Sequence, residues 1–167
     1  MNESKNKILH CISEIAQIMS EKKLFLGVAE SCTGGLLSNF ICALPGASQY
    51  FKGSIVAYHN SIKQNILQID EQEIEYNGVV SKEVVEAMAI NARRILRTDW
   101  SVAVTGIAGP DGGSSENPVG TCWIAIANSH GCTSFKKIFK EKRNKVQELI
   151  VYTIVQELKN QLSTLHK

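Results

Sequence analysis

The chain has 167 residues, 44% hydrophobic and 20% charged, with 18 Lys and Arg against 16 Asp and Glu for a formal charge of +2. That length suits one domain, spanning residues 1–167, with a core of its own, and the composition excludes a disordered chain. The near-neutral balance also excludes the basic footprint of a nucleic-acid-binding protein. The one basic cluster, from Lys136 and Lys137 through Lys140, Lys142, Arg143 and Lys145, is broken by apolar residues and reads as a solvated strand-and-turn face.

In chain order, the apolar residues Ile8, Cys11, Ile12, Ile15, Ile18 and Met19 recur at helical spacing and predict an amphipathic helix over 4–23. The run 24–29 reads as a strand buried on both faces. It leads into Glu30-Ser31-Cys32-Thr33-Gly34-Gly35 and a short helix that Pro45 ends. A second strand is expected at 54–59 and a short helix through Lys63, Ile66 and Leu67. Residues 70–78 are polar and read as irregular. Ser81 is placed to N-cap a helix with Val84, Val85, Met88, Ala92 and Ile95 inside. Another buried strand, 100–105, runs into Gly106-Ile107-Ala108-Gly109-Pro110-Asp111-Gly112-Gly113. Strands 120–128 and 132–139 pair antiparallel across a turn, and a helix carrying Val146, Leu149, Ile150, Ile154 and Leu158 closes the order. The fold class is therefore α/β, in three layers: a mixed sheet with helices on both faces.

The five cysteines, Cys11, Cys32, Cys42, Cys122 and Cys132, contain no CxxC pair, so zinc, iron–sulfur and disulfide frameworks have no support. Cys11 and Cys42 fall on apolar stripes and read as core hydrophobes. No apolar run reaches the ~18 residues of a membrane span, and the first residues lack the apolar stretch of a signal peptide. A soluble, cytoplasmic protein with no membrane partner and no metal or other cofactor is expected.

Two loops, 30–35 and 105–113, each follow a buried strand and are dense in glycine and hydroxyl residues. Ligands in open α/β sheets bind beyond the carboxyl ends of strands, and a helix N-terminus suits a phosphate. Neither loop is a P-loop or a dinucleotide fingerprint. The site therefore reads as one for a small phosphorylated metabolite. His10, His59, His130 and His166 form no triad with serine and aspartate, and each reads as a surface or structural residue. A desolvated lysine can serve as base instead. Ser48, Tyr58 and Lys63 make one candidate set; Ser31, on a strand-to-helix turn, is a second candidate nucleophile, although Ala29 stands where a nucleophile elbow has its first glycine. Cys32 has no histidine near it in sequence to make a thiolate.

The strings 29–35 (AESCTGG), 105–113 (TGIAGPDGG) and 118–121 (PVGT), in this order, resemble the CinA C-terminal domain family, whose stand-alone members include nicotinamide mononucleotide amidohydrolases. The resemblance covers essentially the whole chain and matches the stand-alone form. It implies hydrolysis of the nicotinamide carboxamide of nicotinamide mononucleotide to nicotinate mononucleotide and ammonia, in pyridine nucleotide recycling. It implies a serine–lysine mechanism in which Ser48 is nucleophile, Lys63 base and Tyr58 the assisting proton relay. Ser31, Thr33, Gly34, Gly35, Thr105 and Gly106 match the substrate loops, with the ribose phosphate expected at the helix start after Thr33. Arg143 stands where the family has a Gly-Asp-Arg string, but follows Glu141-Lys142 here, which weakens a phosphate role. Self-association as a homodimer is a further implication. A non-catalytic nucleotide-binding regulatory module is the alternative.

Overall fold

The computed structural model of the chain describes residues 3–164, so His166 lies outside the described residues. Five strands form one sheet in the order β2-β1-β3-β4-β5. The central strand β1 (Leu26–Glu30) pairs in parallel with β2 (Phe51–Val56) on one side and β3 (Trp100–Gly106) on the other. β3 then pairs antiparallel with β4 (Thr121–Asn128), and β4 with β5 (Gly131–Ile138). The sheet is mixed, as the sequence predicts.

Period-two alternation divides the sheet between two cores. Val28, Val102, Val104, Ile124 and Ile126 face α1 (Glu3–Glu21), α2 (Leu36–Cys42) and α6 (Arg143–Ser163). The opposite face presents Ala29, Ala103, Ala125 and Ala127 to α5 (Lys82–Leu96). Alanine there has a packing reason: small side chains let α5 approach the strands closely enough for Ser101 Oγ to donate to the Ala89 carbonyl at 2.7 Å. Ser81 caps α5 as expected, accepting from the Val84 N–H at 3.3 Å.

Three local expectations are corrected. Residues 71–77 form the helix α4 (Glu71–Asn77), because Asp70 caps it by accepting from the Gln72 N–H at 2.8 Å and Ile74 is buried. The second strand runs Phe51–Val56 rather than 54–59, since Leu26 N–H donates to Tyr50 O and sets its register against β1 from that point. Tyr58 consequently lies beyond the strand, at the approach to α3 (Asn60–Asn65). Cys42 is exposed at the end of α2, whereas Cys11 is buried as expected.

Because β1 sends its chain over one face to β2, and β2 sends its chain over the other face to β3, the connections diverge at the carboxyl end of β1. That divergence opens a crevice, where α/β sheets bind ligands.

Candidate active site

The crevice is a cleft of about 260 Å³ lined by residues from five segments, among them Ser31, Tyr58, Lys63, Gly106, Asp111 and Arg143. At its foot Lys63 is fully buried and Ser31 is 7% exposed. Lys63 Nζ lies 3.1 Å from Ser31 Oγ and 2.8 Å from the Ala57 carbonyl oxygen. Helical side chains lean toward the N-terminus of their helix, so a lysine in short α3 reaches back over the end of β2 to meet both. His59 fixes the start of α3, its Nδ1 accepting from the Ser61 N–H at 3.2 Å.

Burial pushes the Lys63 ammonium below its usual 10.5 by stripping the charged form of water; the nearby Cys32 opposes that shift. The Cys32 thiol is itself driven up to about 12, chiefly by burial, which removes it as a thiolate nucleophile at neutral pH. Serine beside a desolvated amine is an arrangement that can generate an alkoxide without histidine.

The expected pairing of Ser48 with Lys63 is not what the fold makes. Ser48 is exposed in a 3-10 turn (Ala47–Gln49) that precedes β2, while Lys63 follows β2. The six-residue strand β2 lies between them, with Ser48 before its amino end and Lys63 in the helix that follows its carboxyl end. The structure brings Ser31 to Lys63, the second candidate of the sequence.

The phosphate expected at the Thr33-Gly34-Gly35 helix start meets an occupied position. The carboxylate of Glu30, fully buried, accepts from Thr33 Oγ1, the N–H groups of Gly35, Leu37 and Ser38, and Ser38 Oγ. Gly35 takes φ +96°, which turns its N–H toward that carboxylate. Thr33, Gly34 and Gly35 therefore build the turn and do not line the cleft. Thr105 is also internal, its Oγ1 donating to the Val79 carbonyl at 2.9 Å. Gly106 does line the cleft, and a Cβ there would lie 2.6 Å from the Thr121 carbonyl oxygen, so β4 requires glycine at this crossing.

The second loop keeps its donors. Ile107 N–H donates to Thr121 O and Ser114 N–H to Asn117 O, while the amides of Ala108, Gly109, Asp111 and Gly112 donate to no backbone carbonyl among the described residues. Arg143, despite its altered approach sequence, reaches this loop: Nη1 donates to the Gly109 carbonyl at 2.7 Å and Nη2 to the Tyr58 hydroxyl at 2.9 Å. Lys63, Tyr58 and Arg143 thus converge on one cleft. Asp111, inside the string 105–113, lines it too, as do Asn60 and Val79, which the sequence does not single out. No group of three or more His, Cys, Asp or Glu side chains is clustered to hold a metal among the described residues. No described helix is long and apolar enough to cross a membrane.

The model of the CinA C-terminal domain matches residues 9–162. A CinA-like protein of Prochlorococcus marinus subsp. pastoris is 50% identical over 136 residues, covering 81% of this chain and 31% of its own length. A CinA-like protein of Geotalea uraniireducens is 40% identical over 90% of this chain and 36% of its own length. The chain therefore spans about a third of these relatives. Among solved structures, the competence/damage inducible protein CihA from Agrobacterium tumefaciens superposes with TM-score 0.90 at 30% identity, covering 94% of this chain and 96% of its own. The competence or damage-inducible protein from Enterobacter asburiae gives 0.89 at 29% identity, covering 93% and 98%.

Proposed function

Because this chain belongs to the CinA C-terminal domain family, we propose that it hydrolyses the carboxamide of nicotinamide mononucleotide, using Ser31 as nucleophile and Lys63 as base. The observation that carries the reading is the 3.1 Å contact of Lys63 Nζ with Ser31 Oγ at the foot of the cleft. An amide is a poor electrophile, and an acyl-enzyme divides its hydrolysis into two easier steps.

Neutral Lys63 accepts the proton of Ser31 Oγ–H while the oxygen attacks the carboxamide carbon; another N–H of the amine stays on the Ala57 carbonyl. The tetrahedral intermediate collapses with proton transfer to the departing nitrogen, and ammonia leaves an ester on Ser31. Water then attacks the ester with Lys63 again taking the proton, which releases nicotinate mononucleotide and restores Ser31. Tyr58, held by Arg143 over the same cleft, supplies a hydroxyl for the leaving nitrogen.

The phosphate belongs with the second loop rather than the first. The amides of Ala108, Gly109, Asp111 and Gly112 are available donors, and the Arg143 guanidinium, with N–H groups beyond the two it has spent, adds positive charge. Asp111 supplies an acceptor at the rim, suited to ribose hydroxyls.

Ammonia release from nicotinamide mononucleotide, measured for Ser31→Ala and Ser48→Ala without added metal, tests the assignment. Ser31→Ala is expected to lose at least about 10³-fold in kcat with KM within a few fold, as for a lost nucleophile. Ser48→Ala is expected to keep wild-type kinetics. The reverse pattern removes Ser31 from the mechanism.

A further inference from the structure

The mechanism leaves one buried carboxylate among the described residues unused. Glu30 is the last residue of β1, adjacent in sequence to Ser31, and fully buried. Resting on the reading of Ser31 as nucleophile, we infer that Glu30 is a positioning residue, whose carboxylate fixes the strand-to-helix turn that aims Ser31 Oγ at Lys63. A carboxylate in such a place would ordinarily require a cationic partner. Glu30 forms no salt bridge among the described residues; its partners are five hydrogen bonds, three from backbone N–H groups and two from hydroxyls.

Those five partners tie down both ends of the turn. Thr33 and Gly35 lie within it; Leu37 and Ser38 belong to the first turn of α2, whose orphan N–H groups the carboxylate takes over. On its upstream side the turn is tied to the sheet, Ser31 N–H donating to Val104 O and Ala57 N–H to Glu30 O. Ala57 is also the residue whose carbonyl holds Lys63 Nζ, so Glu30's own peptide anchors the nucleophile's turn and the base's acceptor together. From α6, Gln147 Nε2 donates to Cys32 O at 2.8 Å and closes the remaining side of the turn. Ser31 Oγ is thereby aimed by a frame in which the Glu30 side chain is the common acceptor.

An isosteric amide cannot satisfy this frame. Glutamine offers one acceptor oxygen and places an NH2 group against N–H and O–H donors, which pushes the turn away from Lys63. A nucleophile misplaced by ~1 Å loses about 10²-fold in rate.

The experiment compares Glu30→Gln, Ser38→Ala and Leu158→Ala with the wild-type chain. Leu158 is a core residue of α6 and serves as a control for loss of stability alone. Two readouts are taken: kcat and KM for ammonia release, and the rate at which a fluorophosphonate phosphonylates Ser31, followed by intact mass and peptide mapping. Glu30→Gln is expected to lower kcat by about 30-fold or more with KM within about threefold, and to slow phosphonylation in parallel. Ser38→Ala, losing one of the five bonds, is expected to move both readouts the same way by about threefold to tenfold. Leu158→Ala should lower Tm and leave both within about twofold. A folded Glu30→Gln chain with both readouts near wild type overturns the inference. So does a Leu158→Ala chain of equal Tm loss that reproduces the slowing. If Glu30→Gln does not fold, Ser38→Ala decides, and unchanged readouts there overturn the inference. A wild-type chain not phosphonylated at Ser31 removes the nucleophile assignment and the inference with it; equal labelling of wild type and Glu30→Gln removes the positioning role alone.

Discussion

The two glycine-rich loops beside the cleft carry the same sequence signature and use it in opposite ways. Each follows a parallel strand, β1 or β3, and each is dense in glycine and hydroxyl residues. In the first, Glu30 takes up the N–H groups of Gly35, Leu37 and Ser38, so the helix start is occupied by the chain's own carboxylate. In the second, the amides of Ala108, Gly109, Asp111 and Gly112 reach no backbone acceptor among the described residues, and Arg143 adds a guanidinium. A loop with its own buried carboxylate presents a side chain, Ser31; a loop without one presents its backbone. Glycine content alone does not separate the two, because the outcome depends on which acceptor folds against the donors.

The strongest test of this contrast acts on the serine side. Lys63→Arg is expected to lower kcat by about 10³-fold or more, since arginine keeps the charge yet does not give up a proton. Burial lowers the pKa of Lys63 beneath 10.5, so the ascending limb of kcat/KM against pH should report a group titrating below that value. An arginine variant with a large share of wild-type turnover would make Lys63 a fixed charge and not a base.

Next in size is the effect of the phosphate. Removing it from the substrate, as in the riboside, should lower kcat/KM by about 10²-fold, the scale of charge-assisted bonds lost at a preformed anion site. Arg143→Ala should raise KM for the mononucleotide by about tenfold and leave KM for the riboside nearly unchanged. Equal kcat/KM for riboside and mononucleotide would take the phosphate out of the second loop.

Two glycines with matched conformations sharpen the comparison further. Gly35 at φ +96° and Gly112 at φ +90° both hold left-handed backbone. Alanine at either position costs about 1–2 kcal/mol of stability. Gly112→Ala should also raise KM for the phosphorylated substrate, whereas Gly35→Ala should act on kcat through the Glu30 turn. Steady-state kinetics beside thermal melts separate the two, and identical kinetic signatures would erase the distinction between the loops.

The smallest effect is on the pH dependence of stability. The folded chain holds the Lys63 proton less tightly than the unfolded chain does, so between the lowered pKa and 10.5 the unfolded state carries more of it. That group makes stability rise with pH through this window, and its penalty is full below it. Lys63→Met should therefore show a flatter rise in denaturant midpoint toward pH 10.5 than the wild type. Parallel profiles would mean that Lys63 is not desolvated.

Much of the fold was legible because burial writes itself into local sequence. Helical spacing in 8–19 gave α1, apolar runs gave β1 and β3, and Ser81 announced α5. Helix α4 was missed since one buried residue, Ile74, leaves no periodic stripe; its signal was Asp70, an available N-cap among polar residues. The strings 29–35 and 105–113, with Tyr58 and Lys63 of the candidate set, pointed to residues that line the cleft, and the sequence by itself determined these, the layer order and the family. Which serine faces Lys63 was a tertiary decision. Ser48 and Ser31 are both hydroxyls near glycine, and only the register of β2 against β1 puts one before the strand and the other beside its far end. The destination of the Glu30 carboxylate was likewise invisible, because its partners lie three to eight residues on and meet it only when the chain turns into α2. Local sequence sets which groups can bond; the packed sheet and its crossovers set which of them are brought within reach.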